Sequence, residues 1–518
     1  MRLPVLLLVL PAFLALLSCA DSRQLKQQAP EVKFLIGFAG TPARVELDAA
    51  VSAAGCSLGD FLSVDAGIAT AKCPAGVRLS TSTPGFTGLG VNLVAQDVHF
   101  TLSEDTQSAI AEPLTSQRRT SASAGTTTTG SATTNGFYTG PITGEPNDPL
   151  WAYQWAPRSI EAPKAWAQGI NGRCVRVGVV DGYFGTLNPD IKNKFDTNVS
   201  KSFADISFET DPVGGVPHGQ WVSGVIGAEA NNGWSVMGVA YGSTLLGVQV
   251  FGSSSGAPFS TIVEGILYAA QRKDKGGAGA DIINLSLGAL GTKNADPGVE
   301  PGAGPIIGLL NKAFAFANKN GVLVVAAAGN NYFNLNTPGP FLSTPCEQAN
   351  VLCVAANGPV GICPVCSSPT SDVDCAFPPG LDFQNANYSR LASYTNFGLT
   401  VDVTAPGGDI MLRGIRPCWG DDKVVTTGPV DVTNWVAGTS FSAPHVSALA
   451  ALYIQKAAMD KGVLESELCS PGRTKTFISP GQVKRAILSG AVLPPGKVGD
   501  MKKLFGAGII NVPRTLGL

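Results

Sequence analysis

From residue 175 onward the apolar positions fall into short unbroken runs separated by longer stretches of helical period. Val175–Val180, Thr244–Val250, Asp281–Leu285, Gly321–Ala327 and Val351–Ala356 have strand length and few polar interruptions. Between and after them, His218–Ala228, Ser260–Arg272, Pro305–Asn318 and Ser440–Lys456 repeat their apolar residues at three- and four-residue intervals. Continuous apolar strands alternating with helices predict an α/β fold: a mostly parallel sheet with helices on both faces. Open sheets of this kind carry their sites at the carboxyl ends of the strands.

Upstream the pattern changes. Val32–Ile36 and Val98–Leu102 read as strands around a helix over Glu46–Ala54, which predicts a small α+β unit over about 30–105. Residues 106–145 turn to Ser, Thr, Gly and Ala, including Thr126-Thr127-Thr128-Thr129, and are expected to form a flexible linker to a second unit over 146–518. At the start, Met1 and Arg2 precede an apolar stretch from Leu3 to Leu17, which reads as an export signal over 1–19. It falls short of the roughly 20 apolar residues that span a bilayer. Leu16-Leu17-Ser18-Cys19 also has the form of a lipoprotein cleavage box, so plain secretion and a lipid on Cys19 both stand. Apart from such a lipid the chain is expected to have no membrane attachment.

Composition narrows the function. With 518 residues, 44% apolar content, 14% charged residues and a net charge of -2, the chain can build a large core and offers no block of charge to a nucleic acid. The 11 cysteines divide into Cys19 in the signal, Cys56 and Cys73 in the first unit, and an even set from Cys174 to Cys469. Even counts in an exported chain predict disulfides without choosing their pairing. Cys363-x-x-Cys366 has no second pair and no nearby His, so zinc is not expected.

Three positions carry the candidate chemistry. Gly438-Thr439-Ser440-Phe441-Ser442-Ala443-Pro444-His445 puts a serine at a helix start, where glycine permits close backbone approach and proline fits the first turn. Helix N-termini favour the negative charge that develops in acyl transfer. Of the 3 histidines, His445 lies on the same helix as Ser440 and His99 in the unit before the linker, which leaves His218 as the base that could reach Ser440. Asp181 directly follows a buried strand, where it could orient an imidazole or merely begin a turn.

The order Asp181, His218, Ser440, with a short first interval and a long second one, resembles the subtilisin-like serine proteases, or subtilases. The likeness extends over about 146–518. It includes Asn147-Asp148-Pro149-Leu150, Gln154-Trp155, Ala162-Pro163-Lys164-Ala165-Trp166, Ala392-Ser393-Tyr394-Thr395-Asn396-Phe397-Gly398 and Val403-Thr404-Ala405-Pro406-Gly407-Gly408.

The resemblance implies a serine endopeptidase acting on proteins or peptides through an acyl-enzyme. Asn330 of Ala326-Ala327-Ala328-Gly329-Asn330 would supply an oxyanion donor. Ser286, Leu287 and Gly288 would pair with the extended substrate backbone. The block before the linker would be a propeptide that chaperones and inhibits the protease and is cut away by self-processing; Cys56 and Cys73 should then pair with each other, so that it can leave. No cofactor is required, and structural calcium, common in the family, is an expectation for which no complete ligand loop stands in the sequence.

Two departures bear on the site. The family usually follows its Asp with a hydroxyl residue, and here Gly182 stands. After the His it commonly reads Gly-Thr-His, and here Gly219-Gln220-Trp221. The stretch from Phe341 to Asp382 looks like an insertion beside the specificity pocket. Two other readings stand beside the peptidase: a non-catalytic binding protein that keeps the fold, and a serine hydrolase acting on esters or non-protein substrates.

Overall fold

The computed structural model describes residues 31–101, 133–134, 137–208, 216–252, 256–292, 303–336, 341–360, 362, 381–410, 420, 422–430, 432–470, 472–473 and 477–518. The export signal with Cys19, most of the linker, and Cys363, Cys366, Cys375 and Cys418 lie outside them.

The N-terminal block forms a four-stranded antiparallel sheet backed by one helix. Its elements are β1 (Glu31–Phe38), α1 (Arg44–Ala53), β2 (Ser57–Ser63), β3 (Ile68–Pro74) and β4 (Val91–Gln96), in the sheet order β2-β3-β1-β4. Leu47 and Val51 of α1 pack on Phe34, Ile36 and Phe38 of β1 to give the block its own core. Cys56 and Cys73 are bridged within it, the pairing expected of them.

The last predicted strand of this block does not join its sheet. It shortens to β5 (His99–Thr101) and pairs instead with a strand of the second unit. Alternation alone showed that these residues are extended; it could not show which edge they extend.

The second unit is built on an eight-stranded sheet. Its main elements are β6 (Arg176–Asp181), β7 (Lys201–Ser202), α2 (His218–Gly227), β8 (Thr244–Gln249), β9 (Gly256–Pro258), α3 (Phe259–Ala270), β10 (Ile282–Leu285), α4 (Ala303–Lys319), β11 (Leu323–Ala327), β12 (Val351–Val360), β13 (Asn387–Leu391), β14 (Val403–Pro406) and α5 (Thr439–Asp460). The strand order is β13-β12-β11-β10-β6-β8-β7, with β14 also on β12. Every pairing but that of β13 is parallel. This is the α/β architecture expected from the unbroken apolar strands. Val177, Val179 and Leu245 face the core beneath α2 and α5, while Val180, Leu246 and Val248 face the core beneath α3 and α4.

Two boundaries shift. Residues 137–145, assigned to the flexible linker by composition, lie against the second unit. Phe137 and Ile142 are buried, and Thr139 and Gly140 accept bonds from Asn171 and Tyr241 at 2.7 and 2.8 Å. Short polar residues there hid a segment that is held by its backbone. The proposed insertion from Phe341 to Asp382 is also interrupted, because β12 runs through it as a fully paired strand of the central sheet. Two further disulfides join Cys174 to Cys469 and Cys346 to Cys353.

Candidate active site

β6 ends on Asp181, and α2 begins on His218; both side chains are fully buried. His218 Nδ1 lies 2.7 Å from Asp181 Oδ1, which also accepts Gly182 N–H at 2.6 Å. The helix can come this close because residue 219 is glycine. A Cβ there would stand 2.7 Å from the Gly182 carbonyl oxygen and 2.9 Å from the Phe184 ring. Gln220 N–H donates to the Tyr183 carbonyl at 3.0 Å and so ties the helix start to the strand end. Nδ1 is thereby committed to the carboxylate, which leaves Nε2 as the free nitrogen; Nε2 has no hydrogen-bond partner among the described residues.

The unusual residues after His218 bond to a neighbouring hairpin. Gln220 Nε2 donates to the Gly428 carbonyl and Trp221 Nε1 to Asn434 Oδ1 at 2.8 Å, both on the hairpin formed by Val424–Thr427 and Thr433–Val436.

Ser440 is the second residue of α5 and is almost wholly buried. Gly438 caps the helix at φ 156°, a conformation closed to other residues. Phe441, next to the serine, brings its ring within 5.8 Å of the His218 imidazole, so the two helix starts converge. The Ser440 hydroxyl donates to the Ser286 carbonyl at 3.2 Å.

Asn330, just past β11, is held through its carbonyl. Oδ1 accepts Thr439 N–H at 2.9 Å and Thr439 Oγ1–H at 2.8 Å, which leaves the Nδ2 hydrogens for another acceptor. Nδ2 lies 3.5 Å from the place where a Gly438 Cβ would sit. Thr439 stands in the octet around Ser440, but its residue type gives no sign of a role; only the fold shows that it grips Asn330.

Ser286 follows β10, and its side chain turns inward, donating to the Ser440 carbonyl at 2.7 Å. Asn284 Nδ2 donates to Ser286 Oγ at 2.8 Å, and Ser447 donates to Asn284 Oδ1 at 2.9 Å. Leu287 lines a small apolar recess with Phe259 and Ile262, and Gly288 is half-buried, facing the Thr344 carbonyl.

The other histidines stand apart. His445 is buried with Nδ1 2.7 Å from the Phe441 carbonyl, and loss of hydration pushes its pKa down to about 4. His99 is not remote, as its place before the linker suggested. It lies on β5 against β9, with its side chain exposed and paired by register to Pro258. Its position on the edge strand, rather than its sequence distance, separates it from the buried Asp181.

Among the described residues, no group of three or more His, Cys, Asp or Glu side chains is placed to hold a metal ion. Two buried carboxylates do approach each other. Asp148 accepts Asn231 and Asn232 N–H, while Asp190 accepts Val236 N–H and Asn232 Nδ2–H. Burial raises both, Asp190 to about 7. Structural calcium rests on the family resemblance alone.

The N-terminal block lies on α3 and α4. Asp97 accepts the Ser260 N–H at 2.8 Å and hydroxyl at 2.6 Å, at the start of α3, and Lys33 Nζ donates to the same hydroxyl at 2.8 Å. Lys312 of α4 donates to the Phe38 carbonyl at 2.8 Å. Leu35, Ile68 and Ala95 share a core with both helices.

Residues 172–508 match a family model described as the subtilase family of S8 peptidases. The chain is 30% identical over 314 residues to the major intracellular serine protease of Bacillus subtilis (strain 168), covering 60% of this chain and 78% of that one. It is 27% identical over 342 residues to thermitase of Thermoactinomyces vulgaris, covering 65% and 96%. It is also 29% identical over 310 residues to the thermophilic serine proteinase of Bacillus sp. (strain AK1), and there spans 59% of the relative's length. Among solved structures, the epidermin leader peptide processing serine protease from Staphylococcus aureus superposes with a TM-score of 0.64 at 17% identity, covering 95% of this chain and 99% of that one. That likeness speaks for the fold. Among the described residues no helix is long and apolar enough to cross a membrane.

Proposed function

Because this chain belongs to the subtilase family, we propose that it is a serine endopeptidase in which Ser440 is the nucleophile, His218 the general base and Asp181 the group that orients it. The observation that carries this reading is the 2.7 Å bond between His218 Nδ1 and Asp181 Oδ1, which leaves Nε2 free on a ring that lies 5.8 Å from that of Phe441, next to Ser440. The Ser440 hydroxyl leaves the Ser286 carbonyl by rotation about χ1 and gives its proton to Nε2 as Oγ bonds the peptide carbonyl carbon. The resulting oxyanion takes hydrogen bonds from Asn330 Nδ2 and Ser440 N–H. His218 then passes the proton to the departing amine as the C–N bond breaks, and water resolves the acyl-enzyme by the same steps in reverse.

Substrate peptides would lie extended along Ser286–Gly288 and the β9 edge, which reads main chain and leaves preference to pockets. β5 already occupies β9, supporting the reading of residues 31–101 as a propeptide that keeps substrate out until it is cut away. The apolar N-terminus supports export of the precursor, with Cys19 as the one residue through which lipid would attach.

The test is to express the precursor and its Ser440→Ala form and follow chain mass. Wild type should shorten between the two units, and Ser440→Ala should stay intact when pure. Equal shortening of both, or of neither, sinks self-processing. Turnover of a small ester without cleavage of unfolded protein would favour the non-protein hydrolase.

A further inference from the structure

Asp181 is held from one side only. Oδ1 is bonded twice, but Oδ2 is buried without a hydrogen-bond partner among the described residues. One strand away, Gln249 is fully buried, and among the described residues neither its Nε2 nor its Oε1 has a partner. The two are register neighbours, for β8 pairs with β6 in parallel with Gln249 opposite Asp181.

Opposed residues of parallel strands point to the same face, with the strands about 4.8 Å apart. Alternation fixes which face this is. Val177 and Val179 on β6 and Leu245 on β8 belong to the core beneath α2 and α5, and Asp181 and Gln249 continue those two series. That is the side on which His218 begins α2. A buried polar group without a partner is costly, and two such groups on adjacent positions are best satisfied by each other. The terminal torsion of a glutamine is soft, so turning the amide toward its neighbour costs little.

We propose that Gln249 is a positioning residue for Asp181, its Nε2 donating to Oδ2 so that the carboxylate is gripped through both oxygens while it orients His218. The residue after Asp181 is Gly182, which has no hydroxyl to offer; the neighbouring strand supplies the donor instead. On the other side of Gln249, Ser202 is in register on β7, with its hydroxyl oxygen accepting Ala204 N–H at 3.1 Å and its hydrogen available to Oε1. This inference rests on the endopeptidase reading above.

The test compares wild type, Gln249→Met, Gly182→Ser and the Gln249→Met/Gly182→Ser double variant, each made as the full precursor and normalised to active sites. Gln249→Met should lower kcat on the order of tenfold with KM unchanged, because the lost contact serves the transition state rather than substrate binding. Measured against Gly182→Ser alone, the double variant should recover most of that loss, since a hydroxyl beside the carboxylate replaces the missing donor. A change confined to Tm or KM, or a loss that the hydroxyl does not recover, overturns the proposal. If Gln249→Met does not fold, Gln249→Asn takes its place, keeping the amide but shortening its reach. The His218 Nδ1 proton resonance, read in the Ser440→Ala background, should shift when Gln249 is replaced. It needs no turnover, so it separates failure of this contact from failure of the endopeptidase reading.

Discussion

Ser440 and Asn330 sit in a web of hydrogen bonds, whereas Asp181 and His218 share one bond, Gly182 N–H adds a second to the carboxylate, and packing does the rest. On the first side, Thr439, Ser286, Asn284 and Ser447 form a connected set that fixes the Ser440 backbone and the Asn330 amide together. On the second, the strand end, Gly219 and the rings of Trp221 and Phe441 confine the imidazole, and half of the carboxylate has no partner among the described residues. The nucleophile and oxyanion donor stand where two chain segments meet, so each needs its own bonds to stay aligned. The acid–base pair is sunk at the end of a central strand, where close packing does much of that work.

The sharpest way to break this comparison is to remove members of each half. His218→Ala should lower kcat on the order of 10⁶-fold, and Asp181→Asn on the order of 10⁴-fold, measured on an unfolded protein substrate. An Asp181→Asn enzyme within a few-fold of wild type would show that packing alone orients His218.

Next in size is the oxyanion side. Asn330→Leu should cost on the order of 10²- to 10³-fold in kcat, the loss seen when this donor is removed from a subtilisin. Thr439→Val removes one of the two bonds on Asn330 Oδ1 and should cost on the order of tenfold, with KM little changed. If Thr439→Val were as damaging as Asn330→Leu, the backbone bond from Thr439 would carry none of the positioning.

The smallest effect tests the buried histidine that takes no part. Native His445 binds its proton only near pH 4, whereas in the unfolded chain it does so near pH 6.5. Between those values the unfolded state holds more protons, so stability should fall as pH drops from 6.5 to 4, by an upper limit of about 3 kcal/mol. Asp190, raised to about 7, has the opposite sign and loses stability as pH rises toward 7. The difference in Tm between wild type and His445→Gln across this range isolates the first contribution. A pH-independent difference would mean that His445 is not the group being charged.

Much of the fold was legible before any coordinates. Unbroken runs such as Thr244–Val250 can be buried on both faces only in a parallel sheet, and the helical runs between them supply the cover. The octet around Ser440 marked a helix start that the structure places at Thr439. What escaped the sequence lay in contacts between distant segments. Val98–Leu102 read as a strand of its own unit because its alternation is silent about partners. Residues 137–145 read as linker because bonds made by their backbone leave no trace in side-chain type. Asn284, Thr439 and Gln249 are ordinary polar residues in strands or at a helix start, and nothing in their spacing marks them.

The sequence by itself determined which elements form and which side chains are able to do chemistry, because period and residue type act locally. Only the tertiary structure decided which oxygen of Asp181 is used, which atom of Asn330 is left free, and which residue stands beside the carboxylate. Those outcomes depend on strand register and on how close two helix starts can approach, and both are fixed by packing among residues far apart in the chain.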